Sequence, residues 1–171
     1  FIRSDEIRIH VARWLEEHGR PFSTALADTP VSSAQDIADI PIRFVSASVP
    51  PVDQVYSGAN LTLPEGIFVA EPQGGISMLF RLGTGASAVP LSQVVIEAPP
   101  AAGFATPRDV LIEFSAREDG LSMRSFNRGQ MGLEGVYLSP RQAPSNARWI
   151  QIRVLNAWDT GAVALSRVRV R

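Results

Sequence analysis

The chain has 171 residues, and its 16 basic and 17 acidic side chains nearly cancel to a formal net charge of −1. This balance argues against nucleic acid or an anionic membrane as the partner. The chain has no cysteine, which excludes disulfides and thiolate metal sites, and no apolar run has the length of a membrane span. Hydrophobic residues make up 45% of the chain, enough for one domain with a core.

Residues 4 to 18 form the first predicted element, an amphipathic helix. Ser4 is a good N-cap, and the residues at positions 7, 11, 14, 15 and 18 lie on a single stripe. Gly19 and Pro21 end the helix, and a linker follows to residue 40. The stripe needs a surface to cover. That surface belongs either to the rest of this chain or to a protein partner on which the helix docks.

The pattern changes to short strands after residue 41. In the last strand, Val168 and Val170 alternate with arginines, as expected for a strand with one buried face. Gly- and Pro-rich turns separate the runs. We therefore predict a mainly all-β chain: a helical segment and linker over 1–40, then an antiparallel β-sandwich or jelly roll of about eight strands over 41–171. The predicted strands are 42–48, 77–82, 91–98, 110–115, 135–138, 149–155 and 163–170.

Five segments carry a family resemblance that spans about residues 42–171. They are Val45-Ser46-Ala47-Ser48 with Ala59-Asn60-Leu61, then Pro107 to Ser115, Ala147 to Asn156, and Gly161 to Val170. In this order and spacing they resemble the discoidin, or coagulation factor type C, domains of the galactose-binding-like class. The resemblance implies a non-catalytic carbohydrate-binding or cell-surface adhesion module. It also favours a bacterial or phage origin and an extracellular, cell-surface or virion-associated location.

The same resemblance raises the question of a structural calcium ion, which many relatives hold with two acidic residues. Glu65 could supply one of them, but Ser166 stands where the family has a glutamate. Calcium takes six to eight oxygen ligands, several of them carboxylates. We therefore predict no cofactor and keep calcium only as a weaker alternative.

One pole of the sandwich carries the ligand in the family that the sequence resembles. Here that pole should present residues 49–57 and 156–161, with Trp158 at a turn tip between Asn156 and Asp159. An aromatic face stacks on the apolar face of a pyranose, while amides and carboxylates bind its hydroxyls. The alternative is that Trp158 folds back as a lid on the core. The first loop adds the candidate ligand contacts Asp53 and Tyr56, and two further loops add Phe104, Asn127 and Arg128.

No catalytic residue or metal ligand is predicted. Both histidines, His10 and His18, precede the sandwich, and their separation of eight residues does not suit one shared metal ion. No pair of carboxylates stands out for glycoside hydrolysis. Two alternatives to a free-standing glycan-binding module stay open. One is a structural or adaptor subunit of an assembled particle, such as a phage-like tail or spike, and the other is an accessory domain of a larger polysaccharide-active enzyme.

Overall fold

The structure is a computed structural model, and it describes residues 39–99 and 103–171. The chain divides into two units, Phe1–Ala38 and Asp39–Arg171, and the fold described below is that of the second. The predicted helix over 4–18, most of the predicted linker and both histidines lie outside the described residues.

The described part of the chain contains twelve strands and two short 3-10 turns. The 3-10 turns are Gln54–Tyr56 and Gly58–Thr62. The strands are β1 (Ile42–Ala47), β2 (Phe68–Ala70), β3 (Ile76–Leu82), β4 (Val89–Leu91), β5 (Val94–Glu97), β6 (Asp109–Ser115), β7 (Arg124–Gln130), β8 (Val136–Leu138), β9 (Ser145–Ala147), β10 (Trp149–Val154), β11 (Val163–Leu165) and β12 (Arg167–Val170).

The strands form antiparallel sheets around one core. A five-stranded sheet has the order β1-β3-β10-β6-β7, and a three-stranded sheet has the order β12-β5-β8, while β11 pairs with β2 and β4 with β9. Strict alternation of buried residues along β3 and β12 directs one face of each sheet inward. The predicted antiparallel β-sandwich is therefore confirmed.

The strand count exceeds the predicted eight for two reasons. The predicted strands 91–98 and 163–170 each split into two, because β4 and β11 pair with different partners from β5 and β12. Strands β2, β7 and β9 were not predicted. All three residues of β2 are buried, β7 is a largely polar edge strand, and β9 has only three residues.

The ends of five strands position the candidate site. The carboxyl ends of β1, β10 and β7 meet the amino ends of β3 and β6 at one pole of the five-stranded sheet. The loops that follow or precede these strands therefore share that pole. Two of them, the loops 48–57 and 155–162, contain the residues 49–57 and 156–161 that the sequence assigned to this pole.

Gly135 is the glycine whose backbone conformation matters most to this packing. It lies at φ +80°, is buried, and would place an added Cβ 2.8 Å from the Ala98 carbonyl oxygen. A non-glycine residue at positive φ costs about 1–3 kcal/mol, and this contact with backbone adds to the cost. We expect Gly135→Ala to lower the free energy of unfolding by about 2–4 kcal/mol in denaturant titrations.

Gly74 provides the matched control for that variant. Its φ is +72°, but an added Cβ would meet nothing within 4 Å. Gly74→Ala should therefore cost only the conformational term, about 1 kcal/mol. Equal losses in the two variants would show that the contact with Ala98 is unimportant.

Candidate functional site

The pairing of β6 with β10 continues past the ends of both strands and carries Trp158 with it. The Arg108 N–H donates to the Asn156 carbonyl oxygen at 3.0 Å, and the Trp158 N–H donates to the Thr106 carbonyl oxygen at the same distance. Trp158 therefore sits on a hydrogen-bonded extension of the sheet. Its position is fixed by backbone hydrogen bonds between the segment before β6 and the segment after β10.

The indole of Trp158 is also held by its side-chain contacts. Its Nε1 donates a hydrogen bond of 2.8 Å to the Met131 carbonyl oxygen, and the Arg108 guanidinium lies 4.7 Å from the ring centroid. Trp158 nevertheless stays 37% exposed. The arrangement combines both sequence interpretations: the indole is tied to the edge of the core through fully buried Met131, and the residue still has an exposed surface.

Asn156 braces this extension through its side-chain amide. Its Oδ1 accepts from the Asp109 N–H at 2.9 Å, and its Nδ2 donates to Asp109 Oδ2 at 2.6 Å. Gln130 adds a longer contact to the other carboxylate oxygen of Asp109, at 3.3 Å. Asn156 therefore uses both polar groups of its side chain to join the end of β10 to the start of β6. Its role in this geometry is to position the Trp158 turn.

The hydrogen bond from Asn156 is the main reason that the pKa of Asp109 lies below the usual value of 3.8. A lowered pKa means that the charged form contributes stability above pH 4 or so, and that this contribution is lost as the pH falls through the lowered value. We expect Asn156→Ala to raise the pKa of Asp109 towards 3.8, measured from its side-chain carboxyl resonance in a pH titration. Asp119, whose pKa is lowered chiefly by Arg117, serves as the internal control and should not move. An unchanged Asp109 titration would contradict the bracing role.

Tyr56 and Phe104 form a second aromatic group at the same pole. Their rings pack edge to face with centroids 6.1 Å apart. The Ala105 N–H donates to the Ala162 carbonyl oxygen at 2.8 Å, which places the Phe104 segment beside the loop of Trp158. Asp53 lies in the same first loop as Tyr56 and caps the 3-10 turn that ends at Tyr56. It is an exposed capping residue.

Asp159, by contrast, is an exposed carboxylate one residue beyond Trp158. The structure thus brings Asp53, Tyr56, Phe104, Asn156, Trp158 and Asp159 to one pole.

Asn127 and Arg128 lie farther back, on β7. The Asn127 Oδ1 accepts a hydrogen bond from the Tyr137 hydroxyl, which occupies it within the sandwich. Arg128 is exposed and close enough to Asp109 to help lower its pKa, so it borders the pole. Phe126 on the same strand is buried and belongs to the core.

Sequence reasoning missed the partners that hold Trp158. Arg108 was noted only as part of a strand motif, although its place directly before β6 puts it at the pole. Thr106 and Met131 contribute backbone carbonyl oxygens to Trp158, and a backbone carbonyl leaves no signal in the residue type.

A cleft of about 330 Å³ lies at the same end of the sheet, beside the candidate site. Its polar groups come from Ser48, Gln73, Ser77 and Arg153, and none of the described residues that line it is aromatic. Ser48 Oγ accepts a hydrogen bond from the Ser77 N–H at 2.9 Å. The cleft lacks the stacking surface that Trp158 and Phe104 supply.

Across 39–99 and 103–171, no three histidine, aspartate or glutamate side chains group as a metal site. No helix within those ranges combines the length and apolar character needed to cross a membrane.

Comparison with known proteins gives structural matches only. No family model matches the sequence, and no curated protein matches it significantly. The family 32 carbohydrate-binding module of NanJ from C. perfringens, in complex with galactose, is 15% identical, with a TM-score of 0.64 over 77% of this chain and 96% of that one. A second such module from Clostridium perfringens, in complex with GalNAc-β-1,3-galactose, is 14% identical, with a TM-score of 0.64 over 78% and 99%.

A fragment of a putative chitobiase from Bacteroides thetaiotaomicron is similar to the same degree. It is 15% identical, with a TM-score of 0.65 over 78% of this chain and 92% of the fragment. These matches span nearly the whole of each relative. They confirm the discoidin-like, galactose-binding-like fold that the sequence motifs implied.

Proposed function

We propose that this chain, which shares the fold of family 32 carbohydrate-binding modules, is a non-catalytic glycan-binding module that binds its ligand at the Trp158 pole. The observation that carries the proposal is the state of Trp158: its indole is held by Met131 and Arg108, and the residue is still 37% exposed at the end of the sandwich. Galactose and GalNAc-β-1,3-galactose occur in complexes of two structural relatives, so galactose-type sugars are the first ligands to test.

The chemistry of the pole suits a pyranose. The part of the indole that Arg108 leaves uncovered supplies an apolar surface for the C–H face of a sugar ring. Arg108 offers N–H donors beside that surface, and exposed Asp159, one residue beyond Trp158, offers carboxylate acceptors. Because Trp158 is already immobilised, binding does not have to order it, which lowers the entropic cost.

The pole supports binding better than catalysis. Asp109 is the carboxylate nearest to Arg108 along the chain, and its lowered pKa keeps it ionised at neutral pH. A general acid needs a pKa near the working pH, and Asp109 is also engaged by Asn156. We therefore assign Asp109 a structural role and propose no catalytic step for this chain.

One alternative has a specific observation in its favour. A structural relative is a fragment of a putative chitobiase, and another is a module of a family 31 glycoside hydrolase. The same glycan-binding pole would then serve as an accessory domain that holds an enzyme on its polysaccharide. Extracellular location, a particle subunit and a protein partner docked through residues 4–18 stay predictions of the sequence.

A glycan-array screen of the full chain, followed by calorimetric titration with galactose and GalNAc-β-1,3-galactose, tests the proposal. We expect saturable binding of modest affinity with one site per chain. Light scattering on the same sample provides the contrasting outcome. If the chain binds no glycan and assembles into a stoichiometric oligomer, it is a structural subunit and the proposal is wrong.

A further inference from the structure

The backbone from Phe104 to Arg108 presents alternate side chains to the surface of the pole. Ala105 and Pro107 are buried, whereas Phe104 and Thr106 are half-buried and Arg108 is exposed. A period of two is that of an extended chain. Phe104, Thr106 and Arg108 therefore lie on one side of this segment and face away from the core.

Each end of that segment carries an aromatic group. At one end Phe104 packs on Tyr56 at 6.1 Å, and at the other the Arg108 guanidinium covers part of Trp158 at 4.7 Å. Four residue steps of extended chain, at about 3.3 Å each, separate the Cα atoms of Phe104 and Arg108 by about 13 Å. Thr106 lies between the two ends.

The segment is also held in place from the side. The Ala105 N–H donates to the Ala162 carbonyl oxygen at 2.8 Å, and the Thr106 carbonyl oxygen accepts from the Trp158 N–H at 3.0 Å. Both bonds join it to the 156–162 loop. The two aromatic groups therefore keep a fixed separation, which a preorganised binding surface requires.

We infer that Tyr56, Phe104, Thr106, Arg108 and Trp158 form one strip that binds a linear oligosaccharide spanning both aromatic ends. The inference rests on the proposed function and adds that the domain selects for chain length. One sugar ring covers only one aromatic end. A longer chain contacts the second end without a separate association cost. Between the two ends, the hydroxyl of Thr106 and the guanidinium of Arg108 bind hydroxyl groups of the oligosaccharide.

The test is a calorimetric comparison of chain lengths. Galacto-, chito-, xylo- and gluco-oligosaccharides of one to four units are titrated into the full chain. In the series that binds, we expect the tetrasaccharide to bind about tenfold or more tightly than the monosaccharide, because the second aromatic contact and the hydrogen bonds between the ends add to the first contact. Equal affinity for one and four units would overturn the strip while leaving the proposed function intact.

Two variants separate the strip from the Trp158 end. Phe104→Ala should bring the tetrasaccharide affinity to within about twofold of the monosaccharide affinity of the same variant. Thr106→Val keeps a β-branched side chain and replaces only the hydroxyl with a methyl group, so it should weaken tetrasaccharide binding about fivefold more than monosaccharide binding. Arg124→Ala, at the far end of β7, is the control and should alter neither affinity.

The outcomes distinguish a failure of the strip from a failure of the proposed function. If Phe104→Ala does not fold, as judged by its circular dichroism and thermal unfolding, Thr106→Val decides the question. Variants that lose monosaccharide and tetrasaccharide binding equally would overturn the strip, and so would variants that lose neither. If the wild-type chain binds no member of any series, the proposed function and the strip both fail.

Discussion

Trp158→Ala is expected to reduce glycan affinity by about thirtyfold or more, because a large aromatic anchor in a binding site commonly contributes more than 2 kcal/mol. The exposed part of the indole is the stacking surface, and its loss also frees the Arg108 guanidinium that it holds. Calorimetric titration with GalNAc-β-1,3-galactose and its tri- and tetrasaccharide extensions measures the change.

Trp149 offers a matched control for this variant. It too has an arginine against its ring, with the Arg81 guanidinium 5.1 Å from the centroid, and its Nε1 donates to the Glu118 carbonyl oxygen. It lies at the opposite end of β10, however, away from the pole. Trp149→Ala should therefore leave glycan affinity unchanged. Loss of binding in this variant, or its retention in Trp158→Ala, would place the ligand elsewhere.

Phe80→Ala should have the largest effect on stability, lowering the free energy of unfolding by about 3–5 kcal/mol. Phe80 is fully buried in the middle of β3, where its neighbours across the sheet are Phe44 on β1 and Ile150 on β10. Its ring packs edge to face on Phe44 with centroids 5.8 Å apart. Truncation leaves a cavity between the sheets that close-packed neighbours fill only in part. Chemical denaturation with a circular dichroism readout gives the change.

Leu138 provides the comparison for a surface position of the same sandwich. It is 56% exposed on β8, so Leu138→Ala should change stability by less than about 1 kcal/mol. A small loss in Phe80→Ala, comparable with that of Leu138→Ala, would mean that the core is not centred on β3. The arrangement of the five-stranded sheet would then need revision.

Strands with a regular pattern could be predicted from the sequence, and short or one-sided strands could not. Val168 and Val170 alternate with arginines because β12 has one face on the core, and the same regularity marks β3. Strand β2 has no alternation because all its residues are buried, and β7 is mostly polar because it lies at the edge of its sheet. Neither kind of strand leaves a period of two in the sequence.

The candidate site, like the strands, could be predicted from the sequence only in part. The order of the strands was enough to place Trp158 and the first loop at one pole. Trp158 is held by Arg108 and by the Met131 carbonyl oxygen. Met131 directly follows β7, a strand that was not predicted. Asn156 was predicted to contact the ligand, but contacts across 47 residues of sequence direct both its polar groups to Asp109. Such long-range pairing is decided by the folded sheet.

The indole N–H resonances of the chain test the central claim most directly. The sequence contains three tryptophans, and substituting each with phenylalanine assigns its resonance. On titration with a bound oligosaccharide, the resonance of Trp158 should shift progressively to saturation, while that of Trp149 at the opposite end stays fixed. Saturable sugar binding that leaves the Trp158 resonance unmoved would contradict the account.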